Sequence, residues 1–437
     1  MLAFRKNEGI PKMIIGIDDT DSREGMCTTY LGAVLMDELQ QYGTVIGDPL
    51  LIRLNPTIPY KTRGNASIAI RLDTDRPNKV MEHVTSRIES LAQMDCERTN
   101  PGVVFVTDTD HEHTRAVLEE FFIRTVREVI SIDTAKNIIH DLDLPAKGYK
   151  NGRGLIGALA ACGAMLRDGW DHTYEYLAYR QMAVWGTPRI VDEESVWKAD
   201  MATYPDTWDT IDQANDLVVC VPHSPDPVLF GIRGKTVEAV TSASNMIVSE
   251  PIERYAIFRT DQGTDLHLIP VEKIADIQDM HSYTIEARIC EPPHTIRGGH
   301  TIVPVCDRDG RCIDCAAFEP TKNFRSLIRE LIPDDMVRVS GSVKKSTLNI
   351  EKIEIISLAR AYDVSNPTCP SCGKRMKSAG IDQGYRCRKC GTRSDTPQQR
   401  ERERNIAPGI YEVPPCARRH LAKPLVRTHQ ANTFPSR

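Results

Sequence analysis

Four cysteines stand as two C-x2-C pairs, Cys369 with Cys372 and Cys387 with Cys390, separated by 14 residues. Each pair offers two thiolates from one tight turn, and two such turns complete a tetrahedral zinc site. Gly373 and Gly391 follow the second cysteine of each pair, where the turn needs a positive φ. A closed four-thiolate site is structural, so Zn²⁺ here holds a ribbon. Arg386, Arg388 and Lys389 then lie on a small rigid platform suited to phosphates. Cys306, Cys312 and Cys315 form a looser group whose only fourth ligands nearby are Cys290 or His300; buried packing, not a second zinc, is the expectation there.

Asp18, Asp19 and Asp21 form a second chemical cluster. They follow the apolar run Met13–Ile17, which reads as a buried strand, so three carboxylates sit on a loop at a strand's C-terminal end, where α/β proteins place their sites. Hard oxygen ligands grouped in this way suit Mg²⁺ bound to nucleotide phosphates, although aspartates that merely cap turns would show the same spacing. Thr28 stands at the start of the next helix, where amide groups and the helix dipole favour a phosphate, or where threonine is a plain cap. An aspartyl nucleophile at Asp19 or Asp21 fits poorly, because Arg23 occupies the place where a D-x-D-x-[TV] pattern wants Thr or Val.

Gly152-x-Gly154-x-x-Gly157 formally matches a dinucleotide fingerprint, but no apolar strand precedes it. What remains is a glycine turn opening a helix, flanked by Lys147, Lys150 and Arg153, that offers a phosphate cradle; Lys61 and Arg63 form a second basic loop for the same task or for an RNA backbone. Between Val191 and Asp216, carboxylates alternate with Trp197, Tyr204 and Trp208, as a cationic ligand would want or as a solvated acidic loop would show.

The elements that must position these groups are α/β in the first 260 residues. Strands are expected at Ala66–Leu72 and Gly102–Val106, and helices from Thr28 and at Val80–Leu91, Arg115–Ile130 and Leu155–Arg167. Leu217–Val221 and Val228–Ile232 read as paired strands. From about Ser282 the pattern changes to strands at Tyr283–Cys290, His300–Cys306, Met336–Val343 and Leu348–Ile356, with one helix near Lys322–Leu331. That pattern suits a small Greek-key barrel of the OB type.

A chain of 437 residues implies about three domains. Its net charge of −5 is uneven: residues 366–437 carry 15 Lys and Arg against 5 Asp and Glu, a basic end of the kind that meets nucleic acid. The longest apolar run, Gly154–Leu166, is shorter than the roughly 20 residues a bilayer requires, and the polar start lacks a signal sequence. A cytoplasmic protein with no membrane partner is therefore expected, and its 13 cysteines are not expected to form disulfides.

Taken together, IDDTDS (Ile17–Ser22), GMCTTYL (Gly25–Leu31), IRLNPTIPYKTRGN (Ile52–Asn65), GRGLIGALAA (Gly152–Ala161), AAFEPTK (Ala316–Lys322) and PPCARRHLAKPL (Pro414–Leu425) resemble, in order, the archaeal isoleucine-tRNA 2-agmatinylcytidine synthetase family. The resemblance implies a kinase-like domain over 13–125, a ferredoxin-like domain over 126–265, an OB-type barrel over 282–360, a zinc ribbon over 366–395 and a basic tail over 396–437. It also implies ATP-dependent attachment of agmatine to carbon-2 of the wobble cytidine in a CAU-anticodon isoleucine tRNA, so that AUA is read. Asp18, Asp19 and Asp21 would hold Mg·ATP, Thr28 would match the phospho-accepting threonine, and Lys61, Arg63, Gly152, Arg153 and Gly154 would border the nucleotide. The alternative is a non-catalytic tRNA or single-strand binder built on barrel and ribbon. Residues 1–12 lie outside the matched runs and read as an extension or a misassigned start.

Overall fold

The computed structural model describes residues 12–61, 64–428 and 430–437. Arg63 and the segment before Lys12 lie outside the described residues. Strand β1 (Lys12–Asp18) buries Met13, Ile14, Ile15 and Ile17, because helices cover both faces of its sheet and a doubly covered strand is a continuous apolar run. Then follow α1 (Thr28–Glu38), β2 (Leu50–Arg53), β3 (Ala66–Asp73), α2 (Pro77–Leu91), β4 (Gly102–Val106), α3 (Glu112–Arg127), α4 (Ile132–Asp141), β5 (Ala146–Gly148) and α5 (Gly154–Leu166). On one face Leu31, Leu35, Val80 and Ile88 pack on Ile15, Ile17 and Ile68. On the other, Leu118, Phe122, Ala158 and Leu159 pack on Ile14 and Val104.

Helix α5 is apolar all round and buried over almost its whole length, being clamped between the sheet and α3. It touches the strands backbone to backbone: a Cβ on Gly16 would run into the carbonyl of Ala158, and one on Gly102 into Gly154.

The sheet continues with β6 (Thr173–Arg180), α6 (Glu193–Thr203), β7 (Val228–Gly234), α7 (Val237–Met246) and β8 (Ile252–Thr260), in the order β5-β4-β1-β3-β2-β8-β6-β7 within ten strands. The two halves join where β2 and β8 run parallel; the other main pairs are antiparallel. The expected pairing of Leu217–Val221 with Val228–Ile232 is reduced to one backbone bond, from the Gly231 amide to the Cys220 carbonyl at 2.9 Å, with no ladder between them. Leu217–Val218 pairs instead with Ile211–Asp212, and β7 pairs with β6. Pro222, Pro225 and Pro227 lie between the two segments, and prolines cannot donate to a ladder.

The barrel comprises β9 (Leu268–Val271), β10 (Ser282–Ile289), β11 (Thr301–Cys306), β12 (Cys312–Ala317), α8 (Phe324–Arg329), β13 (Met336–Lys344) and β14 (Thr347–Ser357). Pairing closes a ring β10-β11-β12-β14-β13-β10, with only β12 and β14 parallel. Its interior holds Ile289, Val303, Val339 and Ile353, capped by Phe324 and Ile328 of α8. Cys306 and Cys312 face each other across β11 and β12 with Cα atoms 4.1 Å apart and form a disulfide, against the expectation of free thiols. Direct cross-strand pairing brings their side chains to bonding range, which spacing along the chain does not reveal. Cys315 is buried as expected.

Ala361–Ser365 pairs antiparallel with Gln398–Arg402, and between them three short strands frame the four-cysteine ribbon. The last segment does not trail into solvent. β15 (Gly409–Glu412) adds to β14, Arg418 is buried against Asp209 and Glu412, and Leu421 enters the core of the large sheet.

Candidate active site

β1 ends at Asp18, and Asp19, in a left-handed conformation (φ 58°), turns the chain out of the sheet. Asp18 lies against α5, where a Cβ on Gly157 would collide with its carboxylate, so glycine at 157 makes room for this acid. Burial, then repulsion from Asp19, holds the Asp18 carboxyl well above the usual range. Asp19 is raised to about 7 by burial and by Asp21, against the opposing pull of Asn100 and Arg153. Its Oδ2 accepts the Asn100 amide at 3.2 Å, and Thr99 donates to the Asp21 carbonyl at 2.7 Å.

Thr28 is the first residue of α1, one beyond Cys27, which occupies the cap position without a side-chain bond. The plain-cap reading of Thr28 is thus set aside. Its hydroxyl instead accepts the Thr20 amide at 3.3 Å and the Thr20 hydroxyl at 3.1 Å, which ties the aspartate loop to the start of the helix.

These residues share one cavity of about 330 Å³. Asp18, Asp19, Asp21 and Thr28 line one side; Arg53, Lys61 and Arg153 supply cations; Glu175, Asp209, Asp226 and Arg233 come from the second half of the sheet, and His420 from the C-terminal segment. Arg153 lies over the Tyr60 ring at 4.0 Å. Gly152 has φ +79°, which makes the turn before α5, and Gly154 is pressed on Gly102. The amides of Gly152, Arg153 and Gly154 are already taken by the Tyr149 carbonyl, Asn151 Oδ1 and the Asn100 carbonyl. The open part of this turn is therefore the Arg153 side chain.

Of the acidic stretch 191–216, Asp209 reaches the cavity; Asp192 caps α6, and Tyr204 and Trp208 lie under Arg437 and Arg427. Glu175, Asp226, Arg233 and His420 were not singled out from the sequence. Glu175 had a signal, a carboxylate inside the apolar strand TYEYLAY. It accepts from Arg233 at 3.2 Å and Gln262 at 2.5 Å, with Arg53 3.7 Å away. His420 Nδ1 accepts from Arg233 at 2.6 Å.

The donor sets match the expected metals differently. Sγ atoms of Cys369 and Cys390 are 3.3 Å apart, those of Cys372 and Cys387 3.4 Å, and those of Cys372 and Cys390 3.6 Å. All four lie within 4.8 Å of one another, as thiolates about one tetrahedral ion must. Asp18 and Asp19 present crowded oxygen donors whose mutual repulsion a hard divalent cation would relieve.

Carboxylates, a hydroxyl and guanidinium groups converging on one cavity, with a barrel and a four-cysteine ribbon appended, define a multidomain α/β enzyme that handles phosphates on a nucleic-acid platform. Family models bear on the particular lineage: a TiaS TCKD domain matches residues 14–151, a TiaS FLD domain 152–267, and a TiaS C-terminal zinc ribbon domain 366–406. The isoleucine-tRNA 2-agmatinylcytidine synthetase TiaS of Methanosarcina mazei is 63% identical over 416 residues, covering 95% of this chain and 97% of its own. A crystal structure of a TiaS complex with isoleucine tRNA and ATP superposes with a TM-score of 0.91 at 45% identity, covering 98% of this chain and all of the other. One of a TiaS complex with isoleucine tRNA, AMPCPP and agmatine gives 0.88 at 42% identity with the same coverage. The chain belongs to the TiaS family of isoleucine-tRNA 2-agmatinylcytidine synthetases. Among the described residues no helix is long and apolar enough to cross a membrane.

Proposed function

We propose that this chain joins agmatine to carbon-2 of the wobble cytidine in isoleucine tRNA with a CAU anticodon, at the expense of ATP. The observation that carries this reading is the single cavity shared by the three aspartates, Thr28 and Arg53, Lys61 and Arg153, in a chain whose relatives were crystallised with isoleucine tRNA, ATP and agmatine. A non-catalytic RNA binder has no use for crowded carboxylates gathered in one cavity.

The reaction needs activation because the pyrimidine carbon-2 oxygen is a poor leaving group. Transfer of a phosphoryl group to that oxygen lets it depart as phosphate when the agmatine amine forms the new C–N bond. Asp18 and Asp19 would hold Mg²⁺, which when bound neutralises the triphosphate. Thr28 is the phospho-accepting hydroxyl, and Arg153, at the Gly152–Gly154 turn, borders the nucleotide. Agmatine's guanidinium end needs a carboxylate, and Asp209, Glu175 and Asp226, each also paired with an arginine, line the cavity wall. The domain division that goes with this reading is kinase-like over 13–125, ferredoxin-like over 126–265, an OB-type barrel over 282–360, the ribbon over 366–395 and the segment 396–437. The enzyme works in the cytoplasm. The direct test incubates the protein with ATP, Mg²⁺, agmatine and transcribed isoleucine tRNA. Mass spectrometry should find an agmatine adduct on the wobble nucleotide; ATP and tRNA bound without an adduct would refute the ligase.

A further inference from the structure

The cavity holding the aspartates adjoins a second one of about 600 Å³, and Arg53, Lys61, Gly64, Ser224 and His420 line both. Three separate parts of the chain frame the outer space: the loop after β2 with Lys61, the barrel with Lys344 and Asn349, and the C-terminal segment with Arg419. Four cations, Arg53, Lys61, Lys344 and Arg419, thus converge.

Two of them have acidic neighbours: Arg53 has Glu175 at 3.7 Å, and Arg419 has Glu351 at 3.5 Å. Among the described residues neither Lys61 nor Lys344 forms an ion pair, and the Lys61 amine donates to the Pro56 carbonyl at 2.5 Å. Burial and repulsion from Arg419, Lys344 and Arg53 all lower the Lys61 pKa. A chain with five more acids than bases had carboxylates to spare, yet here it gathers like charge, which costs stability unless an anion compensates.

We propose that this outer cavity is a passage for the RNA backbone, in which Lys61, Lys344 and Arg419 hold the phosphodiester groups flanking the wobble nucleotide while its base enters the inner cavity. The inference rests on the function proposed above. Phosphate is the shared chemistry of RNA and ATP, and two observations favour RNA here. None of the three aspartates or Thr28 lines the outer cavity, and one of its walls belongs to the barrel, so its occupant must span two modules. His420 adds a neutral donor. Because its Nδ1 accepts from Arg233, the ring proton sits on Nε2, which lies near Gly64 beside the Arg53 guanidinium.

The test is a double-mutant cycle on full-length protein and full-length isoleucine tRNA assembled by ligation. One RNA is natural, and the other carries a neutral methylphosphonate at a phosphate next to the wobble nucleotide. For wild type, neutralising that phosphate should weaken binding about tenfold. Lys344→Ala and Lys61→Ala should each weaken binding of natural RNA by a similar factor and lower the salt slope by roughly one unit, yet lose little more on the neutral RNA. Independent, multiplying losses would overturn the proposal. So would Lys61→Ala or Lys344→Ala protein that binds ATP more weakly in the absence of RNA while holding natural tRNA normally, which would make the space a triphosphate site. Wild type that shows this coupling but yields no agmatine adduct would refute the ligase reading and leave the passage standing.

Discussion

Thr28 carries its hydroxyl on the first residue of α1, where two donors from Thr20 fix it beside the aspartate loop. Removing it loses two modest hydrogen bonds, about 1–2 kcal/mol, too little to unfold the sheet. Losing a phosphate acceptor is a different matter. Thr28→Ala should fold, take no label from γ-labelled ATP and modify tRNA at least about a hundredfold more slowly, roughly 2.7 kcal/mol of barrier, while Thr28→Ser keeps appreciable activity. Near-normal modification by Thr28→Ala would reduce the residue to a brace. Gly157 offers a second residue-scale test. A Cβ there meets the Asp18 carboxylate, so Gly157→Ala must displace either the acid or α5, at about 1–3 kcal/mol. ATP affinity measured by calorimetry should fall well beyond what the change in Tm explains, and unaltered affinity would show that Asp18 can move without consequence.

The elements differ in how far the sequence revealed them. Continuous apolar runs identified β1, β4 and α5, because burial on every side leaves one kind of residue. Helices α2 and α3 begin before their apolar pattern does, at Pro77 and Glu112, where polar first turns hide the apolar period. β12 is hidden in the sequence because Cys312 and Asp314 interrupt its alternation, and β6 because its glutamate reads as surface. The aspartate loop and the ribbon were legible because their ligands are close in sequence. His420, Glu175 and Arg233 were not, because only packing brings a C-terminal segment to a strand some 190–250 residues earlier. One junction of elements carries its own pH test. Glu351 of β14 meets His267, just before β9, at 2.9 Å and Ser342 of β13 at 2.9 Å. Burial alone would raise its carboxyl, but His267, Arg419 and Ser342 together bring it from 4.5 to about 2. A folded pKa below the unfolded one gives stability that is whole above pH about 4.5 and lost as pH falls toward 2, on the order of 3 kcal/mol. The Tm gap between wild type and Glu351→Gln should therefore be wide at pH 7 and narrow by pH 3; a constant gap would mean that the carboxylate's charge contributes nothing.

At the scale of the whole molecule, the basic end is two structures. Arg418 and Arg437 are engaged inside, by Asp209, Glu412 and Asp200, so cutting the chain at Asn366 would strand buried carboxylates and damage the enzyme itself. The ribbon is separable. Ser365 and Gln398 are partners on adjacent antiparallel strands, so everything between them is an excursion from a hairpin, and residues 366–397 carry seven Lys and Arg against two Asp. Replacing 366–397 by a two-residue Asn-Gly turn should close that hairpin in its native register. The shortened enzyme should fold, bind ATP and bind agmatine, since none of the cavity residues is removed. What it should lose is grip on tRNA, with a flatter dependence of affinity on salt, because exposed cations contribute through counterion release. Titrating tRNA at several salt concentrations checks this. An unchanged slope would place the tRNA contacts on the barrel and the cationic passage alone and leave the ribbon's charge without a partner.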